Sequence, residues 1–205
     1  MDSALRDTRE IEASMVERGS DRDERDLLSR IAARDREAMR DFYFLYHGRL
    51  ARLIARITAR RDLVEDIVNE AFGIIWQRAG EFPGDSRVST WVMGIAWRHG
   101  RTRMRRHRRL ASHPLLPMIP HAVETSNPGS LNALERAMST LSPEQRALIE
   151  LAYVGAYSCE EIGAIMTCPA SAVRTRLLDA RRRLRLEIEA GAAGLGADAA
   201  VPLTI

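Results

Sequence analysis

The feature that most constrains the fold is the stretch from Ser158 to Arg183, which has the pattern of two short helices joined by a tight turn. Ser158 and Glu161 have the spacing of a capping box, in which each side chain binds a free backbone N–H at a helix start. Pro169 ends the first helix, because proline cannot continue the hydrogen-bond ladder but suits the first turn of a new helix. Arginines crowd the second helix. The stretch predicts a helix-turn-helix whose second helix fits a DNA major groove.

The rest of the chain also has helical periodicity, and no stretch of useful length alternates like a strand. Asp35 has the position of a helix cap, and Asp62 with Glu65 has the spacing of another capping box. Ser142 and Gln145, with a proline after the serine, mark a further helix start. We therefore predict an all-α fold made of two helical domains.

Composition divides the chain into five segments. Residues 1–24 are polar and of mixed charge, which predicts a flexible N-terminal extension. Residues 25–110 form the first helical domain. Residues 111–129 are rich in proline and have no helical period, which predicts a flexible linker. Residues 130–189 form the second helical domain, and residues 190–205, rich in glycine and alanine, form a flexible tail.

Basic charge is concentrated in one region. The net charge is only +3, and all 31 basic residues are arginines, yet the stretch from Ser86 to Val123 contains no acid. Within it, Trp97 to Arg109 carries seven arginines, a density of like charge that repels itself unless a polyanion neutralises it. Nucleic acid is the favoured partner, with an acidic protein or a membrane surface as the alternative.

Two further surfaces have both a structural and a functional interpretation. Trp91 and Trp97 suit stacking on unpaired bases, although core packing is the alternative and is favoured for Trp91. The loop just before them, 81–87, is positioned to receive an extruded base. The helix predicted over 62–79 has one acidic and polar face, which indicates either an ordinary solvated surface or a docking face for a basic protein.

No motif suggests catalysis, a metal or a cofactor. The five histidines lack metal-ligand spacing, and there is no phosphate loop or nucleophile elbow. Cys159 and Cys168 lack C-x-x-C spacing, which favours a structural or neutral role over a thiol switch. No long apolar run or signal-peptide core is present. We expect a cytoplasmic protein that is not an enzyme, uses no cofactor or small-molecule substrate and does not insert into membranes.

The order of these elements resembles the extracytoplasmic-function (ECF) sigma factors, the smallest members of the sigma-70 family, which have only domains two and four. The resemblance covers residues 27–110 and 131–188. It depends on several stretches in the right order: ARDREAMRDFYFLYHGRLARLIARI, DLVEDIVNEAFGIIWQ, STWVMGIAWR, LSPEQRALIELAYVGAYSCEEIGAIM and PASAVRTRLLDARRRL. It implies a two-domain initiation factor that binds core RNA polymerase and promoter DNA and is held in check by an anti-sigma factor.

The resemblance also assigns roles to residues. Those that would dock on core polymerase are Asp66, Asn69 and Glu70. Those that would contact the −10 element are Phe82, Asp85, Ser86, Arg87, Trp91, Trp97, Arg98, Arg101 and Arg105. Those that would read the −35 element are Ala170, Ser171, Arg174, Thr175, Arg176 and Arg181.

The chain departs from the family pattern at four positions. Asn69 stands where glutamine is commoner, Arg98 where asparagine is usual, Thr167 where glycine is frequent and Gly163 where alanine is usual. The change at Arg98 leaves the choice of base at −10 open. Gly163 costs the helix about 1 kcal/mol but permits a close helix crossing.

Other classes of protein remain as alternatives. A stand-alone helix-turn-helix regulator would be a dimer on a palindromic site, and it gives no role to the acidic helix or to the loop before Trp91. An RNA-binding helical protein and an enzyme explain still less of the pattern. Binding to core polymerase would separate the sigma-factor hypothesis from all three.

Overall fold

The structure is a computed structural model that describes residues 21–58, 60–111 and 133–197. This part of the chain contains eight α-helices and no strand, which confirms the all-α prediction. The helices are α1 (residues 21–32), α2 (Arg36–Ile57), α3 (Asp62–Arg78), α4 (Val88–Ala111), α5 (Ala133–Thr140), α6 (Pro143–Ile149), α7 (Cys159–Met166) and α8 (Ala170–Ala197). A short 3-10 turn, Ala79–Glu81, follows α3, and a π-helical turn, Glu150–Val154, follows α6.

Three predicted helix starts are confirmed. The Asp35 carboxylate accepts hydrogen bonds from two backbone N–H groups in the first turn of α2, at 2.8 and 3.1 Å. Ser142 with Gln145 at the start of α6, and Ser158 with Glu161 at the start of α7, each form a complete capping box. These caps are readable from sequence because both partners lie within one helical turn.

The capping box expected at Asp62 and Glu65 is wrong. Arg61 is the residue before α3, and it makes no side-chain cap hydrogen bond. Asp62 is bound by the Arg60 guanidinium, whose Nε lies 2.8 Å from its carboxylate. Glu65 is bound by His47 of α2, with Nε2 and Oε2 2.9 Å apart. Both carboxylates are therefore engaged by side chains and do not cap the helix.

The N-terminal half is a four-helix bundle whose core includes the apolar faces of α1 to α4. The buried Tyr46 hydroxyl of α2 donates a hydrogen bond of 2.6 Å to Glu24 of α1, and the Glu24 side chain is itself buried. Burial raises the pKa of Tyr46, so this group stays a donor. Residues 21–24, which the sequence assigns to the N-terminal extension, are part of α1, because Glu24 is tied into the core.

The C-terminal half packs α5, α6 and α7 against α8. The helix-turn-helix turn between α7 and α8 is tight: a Cβ added to Gly163 would lie 2.7 Å from the backbone oxygen of Cys168. This is the close crossing expected of Gly163. Thr167 ends α7 in the left-handed conformation, with φ of 58°. Helix α8 runs to Ala197, beyond residue 190, where the sequence places the start of the tail.

The two halves pack against each other, with α4 against α7 and α2 against α6 and the π-helical turn. Glu150 of that turn is buried and pairs with two arginines of α2, Arg52 at 3.3 Å and Arg56 at 3.0 Å. Arg146 of α6 donates a hydrogen bond of 3.2 Å to the backbone oxygen of Arg56. We call this packing of the two halves the closed arrangement. The linker, 111–129, lies outside the described residues except for Ala111, which ends α4.

Candidate nucleic-acid and protein-docking surfaces

The predicted docking face lies on the outer side of α3. Asp66 and Asn69 are exposed. Glu70 is also exposed but has partners on α4: His99 Nε2 lies 2.6 Å away and Arg103 Nε lies 3.1 Å away. The acidic face of α3 is therefore joined at Glu70 to the basic helix α4, a link that helical periodicity does not reveal.

The loop before α4 is ordered around two aromatic side chains. Phe82 and Trp91 are partly buried and contact each other edge to face, with ring centroids 5.6 Å apart. The Arg25 guanidinium of α1 lies 5.2 Å from the Phe82 ring centre. Asp85 is exposed and Ser86 is partly buried. The loop thus places exposed and partly exposed polar residues next to two partly buried aromatic rings.

Two residues of α1 hold this loop, and neither was predicted from the sequence as part of the site. Arg25 donates to the backbone oxygen of Ser86 at 2.7 Å and to that of Gly84 at 3.3 Å. Asp21 pairs with Arg25 at 2.7 Å and accepts the backbone N–H of Val88, at the first turn of α4, at 3.2 Å. The only local signal was the i,i+4 spacing of Asp21 and Arg25, which by itself indicates a solvated pair.

Two of the predicted −10 residues face the C-terminal half. Arg87 lies 3.4 Å from Glu161 of α7, and the hydroxyl of Thr90 donates to the same carboxylate at 3.3 Å. Arg101 lies 3.2 Å from Glu144 of α6. In the closed arrangement, acidic side chains of the second half therefore pair with two of the arginines that the sequence assigns to the −10 element.

The burial of Trp97 corrects the prediction that its indole contacts a base of the −10 element. Its side chain is 1% exposed and lies in the core, with the Arg101 guanidinium 5.4 Å from its ring centre. The helical face that carries Trp97 is the buried one, so in this structure the indole supports α4 and cannot stack on a base. Arg98 and Arg105 are exposed. The guanidinium end of Arg98 is nevertheless partly desolvated, and this desolvation and the nearby Arg78 charge lower the pKa of Arg98.

The predicted −35 residues lie at the start of α8 and along it. Ser171, Arg174, Thr175 and Arg176 are exposed, and Ala170 is partly buried. Opposite them, Val173, Leu177 and Ala180 are buried against the rest of the half.

Two arginines of α8 have partners within the C-terminal half. Arg174 is bound by Glu160 of α7 at 2.9 Å. The backbone N–H of Glu160 and the Arg174 guanidinium lower the pKa of that carboxyl. Arg181 lies over the Tyr153 ring, 5.2 Å from its centre, near the side of α8 that faces the π-helical turn. The Arg174 guanidinium therefore lies beside the Glu160 carboxylate near the start of α8.

Other chemistry is not indicated in the part of the chain that the structure describes. No group of three or more histidine, cysteine or acidic side chains there has a metal-binding arrangement. Cys159 and Cys168 are free thiols packed partly against the core. Among the described helices, none is both long and apolar enough to cross a membrane.

Comparison with known proteins identifies the two halves. Residues 42–110 match the family model described as Sigma-70 region 2, and residues 131–184 match Sigma-70, region 4. The ECF RNA polymerase sigma factor SigM of Mycobacterium tuberculosis is 30% identical over 165 residues, which cover 80% of this chain and 84% of the relative. The ECF RNA polymerase sigma-E factor of Escherichia coli K12 is 29% identical over 178 residues, covering 80% and 93%.

Solved structures share the fold. The sigma factor RpoE, in complex with the anti-sigma factor NepR from Bartonella quintana, has a TM-score of 0.61 at 23% identity and covers 73% of this chain and 96% of its own. CnrH, in complex with the cytosolic domain of CnrY, has a TM-score of 0.61 at 21% identity, covering 82% and 97%. The sequence relationship and the two family matches in order show that the chain belongs to the ECF RNA polymerase sigma factors of the sigma-70 family.

Proposed function

We propose that this protein is an alternative sigma factor that docks on core RNA polymerase through α3 and recognises the −10 and −35 elements of its promoters. The observation that carries the proposal is the order of surfaces on one chain: an acidic face on α3, an arginine-rich α4 and an arginine-rich helix-turn-helix. Each surface lies in a half that matches the corresponding sigma-70 region. The protein performs no chemistry of its own and acts in the cytoplasm, where polymerase and DNA meet.

The docking surface comprises Asp66, Asn69 and Glu70 on α3. Acidic and polar side chains here complement basic helices on the polymerase and steer their encounter. The bonds from His99 and Arg103 to Glu70 place this surface next to α4. Docking of polymerase on α3 would therefore act directly on α4, the helix that we propose contacts the −10 element.

The −10 surface comprises the loop around Phe82 and the exposed arginines of α4, with Trp91 as the partly buried aromatic. We expect Arg87 and Arg101 to bind DNA only after they leave Glu161 and Glu144, because each arginine is paired across the two halves. Opening of the closed arrangement is then a condition of promoter binding. An anti-sigma factor that stabilises the closed arrangement would keep the protein inactive. The two similar folds both have anti-sigma or cytosolic partner domains bound.

The −35 surface is the start of α8. Arg174 has the reach and the planar fork to bind guanine O6 and N7, a contact worth about 1–3 kcal/mol of discrimination. Glu160 restrains its guanidinium. Ser171, Thr175 and Arg176 are also exposed near the start of α8. The two DNA contacts are individually weak and gain affinity because polymerase holds both halves at a high effective concentration.

The test is co-elution of the full chain with bacterial core RNA polymerase on size exclusion. We expect a stoichiometric complex from the natural protein and its loss in Asp66→Arg. Asp41→Arg, a charge reversal on the exposed surface of α2, is the matched control and should co-elute. Asp66 is preferred to Glu70 because Glu70 also binds α4. A natural protein that binds promoter DNA as a dimer and never co-elutes would refute the proposal in favour of a stand-alone regulator.

A further inference from the structure

A cavity of about 100 Å³ lies between the two halves. Arg49 and Arg52 of α2, and Arg87 just before α4, line one side. Glu150 and Tyr157 of the C-terminal half line the other. A cavity of this volume holds several water molecules, and it has room for one tetrahedral oxyanion. The wall carries three guanidinium groups and one carboxylate.

The three guanidinium groups have spare donor capacity. Their nitrogens lie 3.3 to 3.8 Å from the carboxylate oxygens with which they pair, and these are Coulomb contacts longer than a good N–H···O hydrogen bond. A guanidinium offers several N–H groups in a planar fork that matches phosphate oxygens. The Glu150 carboxylate is engaged by Arg56 at 3.0 Å, which reduces its repulsion of an anion in the cavity.

Two hydroxyl groups add neutral donors to the wall. Ser89, at the start of α4, is 2% exposed, and its Oγ makes no hydrogen bond of normal length and angle among the described residues, although it is close enough to the Tyr157 hydroxyl to lower the pKa of that group. A buried polar group without a good hydrogen bond destabilises the fold, and a ligand that accepts from it would remove that cost. Tyr157 is 8% exposed, and burial raises its pKa. Its hydroxyl therefore remains protonated and able to donate at neutral pH.

We propose that this cavity binds a phosphate-type oxyanion, either free phosphate or the terminal phosphate of a small phosphate ester, and that the ligand holds the closed arrangement together. The arginines and Ser89 belong to one half and Tyr157 to the other, so the complete donor set exists only when the halves are packed. A ligand that binds only this form stabilises it by mass action. Arg87, once bound to the ligand, is not available to DNA.

The test is calorimetric titration of the full chain with sodium phosphate at constant ionic strength, with ATP in a second arm. We expect Arg52→Gln to weaken phosphate binding at least tenfold, since it removes a charged donor. Ser89→Ala and Tyr157→Phe, one from each half, should each weaken it about fivefold, since each removes one neutral donor. Ser89→Ala is the safest for folding, because the hydroxyl it removes makes no hydrogen bond of normal length and angle among the described residues.

Arg36→Gln is the control, an exposed arginine at the other end of α2. It should bind phosphate as the natural protein does. Saturable binding of phosphate identifies free phosphate as sufficient, and tighter binding of ATP identifies a phosphate ester. Absence of binding to both, or equal losses in Arg36→Gln and Ser89→Ala, would overturn the proposal. The measurement involves no polymerase or promoter, so its result is independent of the proposed sigma activity.

Discussion

Glu161 offers a way to loosen the closed arrangement without damaging the helix that carries it. One carboxylate oxygen lies 3.4 Å from Arg87 and accepts from Thr90, while the other accepts the backbone N–H of Ser158 at 2.8 Å. Glutamine at this position can keep the capping box, which accepts either residue. Glu161→Gln therefore removes the charge that binds Arg87 and leaves the start of α7 intact.

The expected magnitude follows from exposure. The Arg87 and Glu161 side chains are 40% and 21% exposed, so solvent screens the pair and it contributes about 0.5–1 kcal/mol. Its loss shifts the balance between open and closed forms two- to fivefold, since about 1.4 kcal/mol corresponds to a factor of ten. Because Arg87 is released at the same time, affinity for unpaired DNA should rise by a similar factor.

The assay is fluorescence anisotropy with a single-stranded oligonucleotide at several salt concentrations. Asp41→Asn is the matched control: it removes the same charge from an exposed residue of α2, whose partner Arg40 lies outside the proposed DNA-binding surfaces. We expect Glu161→Gln to bind more tightly than Asp41→Asn, with the difference shrinking as salt screens the pair. Equal affinities of the two variants at low salt would show that the Arg87–Glu161 contact does not restrain DNA binding.

Three further outcomes follow from the helix-turn-helix. Thr167→Gly should raise the free energy of unfolding by about 1 kcal/mol, because the left-handed conformation strains a β-branched residue. An unchanged midpoint in chemical denaturation would contradict this prediction. Gly163→Ala should lower the free energy of unfolding by about 1–3 kcal/mol in the same assay, because the added Cβ would clash with the Cys168 backbone oxygen. An unaltered denaturation midpoint would show that the turn can relax. The Glu160 carboxyl should titrate below its ordinary pKa of 4.5. Its ion pair with Arg174 is therefore fully formed above pH 4.5 and is lost as the pH falls through the lowered pKa. A titration midpoint at or above 4.5, measured by carbon NMR, would refute this prediction.

Local features of the fold were predictable from sequence, because their partners are close in the chain. The capping boxes at Ser142 and Ser158 join residues three apart, and both are present. Asp62 shows the limit of this reasoning. It has the right spacing for a cap, but Arg60, two residues before it, binds its carboxylate. His47 of α2 binds the carboxylate of Glu65, its expected partner in the capping box. Residue spacing alone does not show whether a carboxylate binds the backbone of its own helix or a nearby basic side chain.

Features that depend on packing were not predictable. Trp97 is surrounded by arginines in sequence, yet it faces the core, because charge on neighbouring positions does not determine which side of a helix is buried. Arg56 and Glu150 are 94 positions apart, and nothing in either local pattern indicates their pairing. The acids that bind Arg87 and Arg101 are Glu161 and Glu144, in the first turns of α7 and α6, where a capping role and the helix dipole already account for an acidic residue.

The hydrogen bonds from α1 to the loop before α4 affect where this protein can be truncated. The family match to region 2 begins at residue 42, so a fragment cut at that boundary would keep α3, α4 and the loop itself. It would lose Arg25, which holds two loop carbonyls, and Asp21, which binds the first turn of α4. Such a fragment would retain every residue assigned to the −10 element while lacking the tether that shapes their loop. If this loop contacts the −10 element as we propose, the shortest unit that keeps its shape extends upstream of the region 2 match to Asp21, at the start of α1.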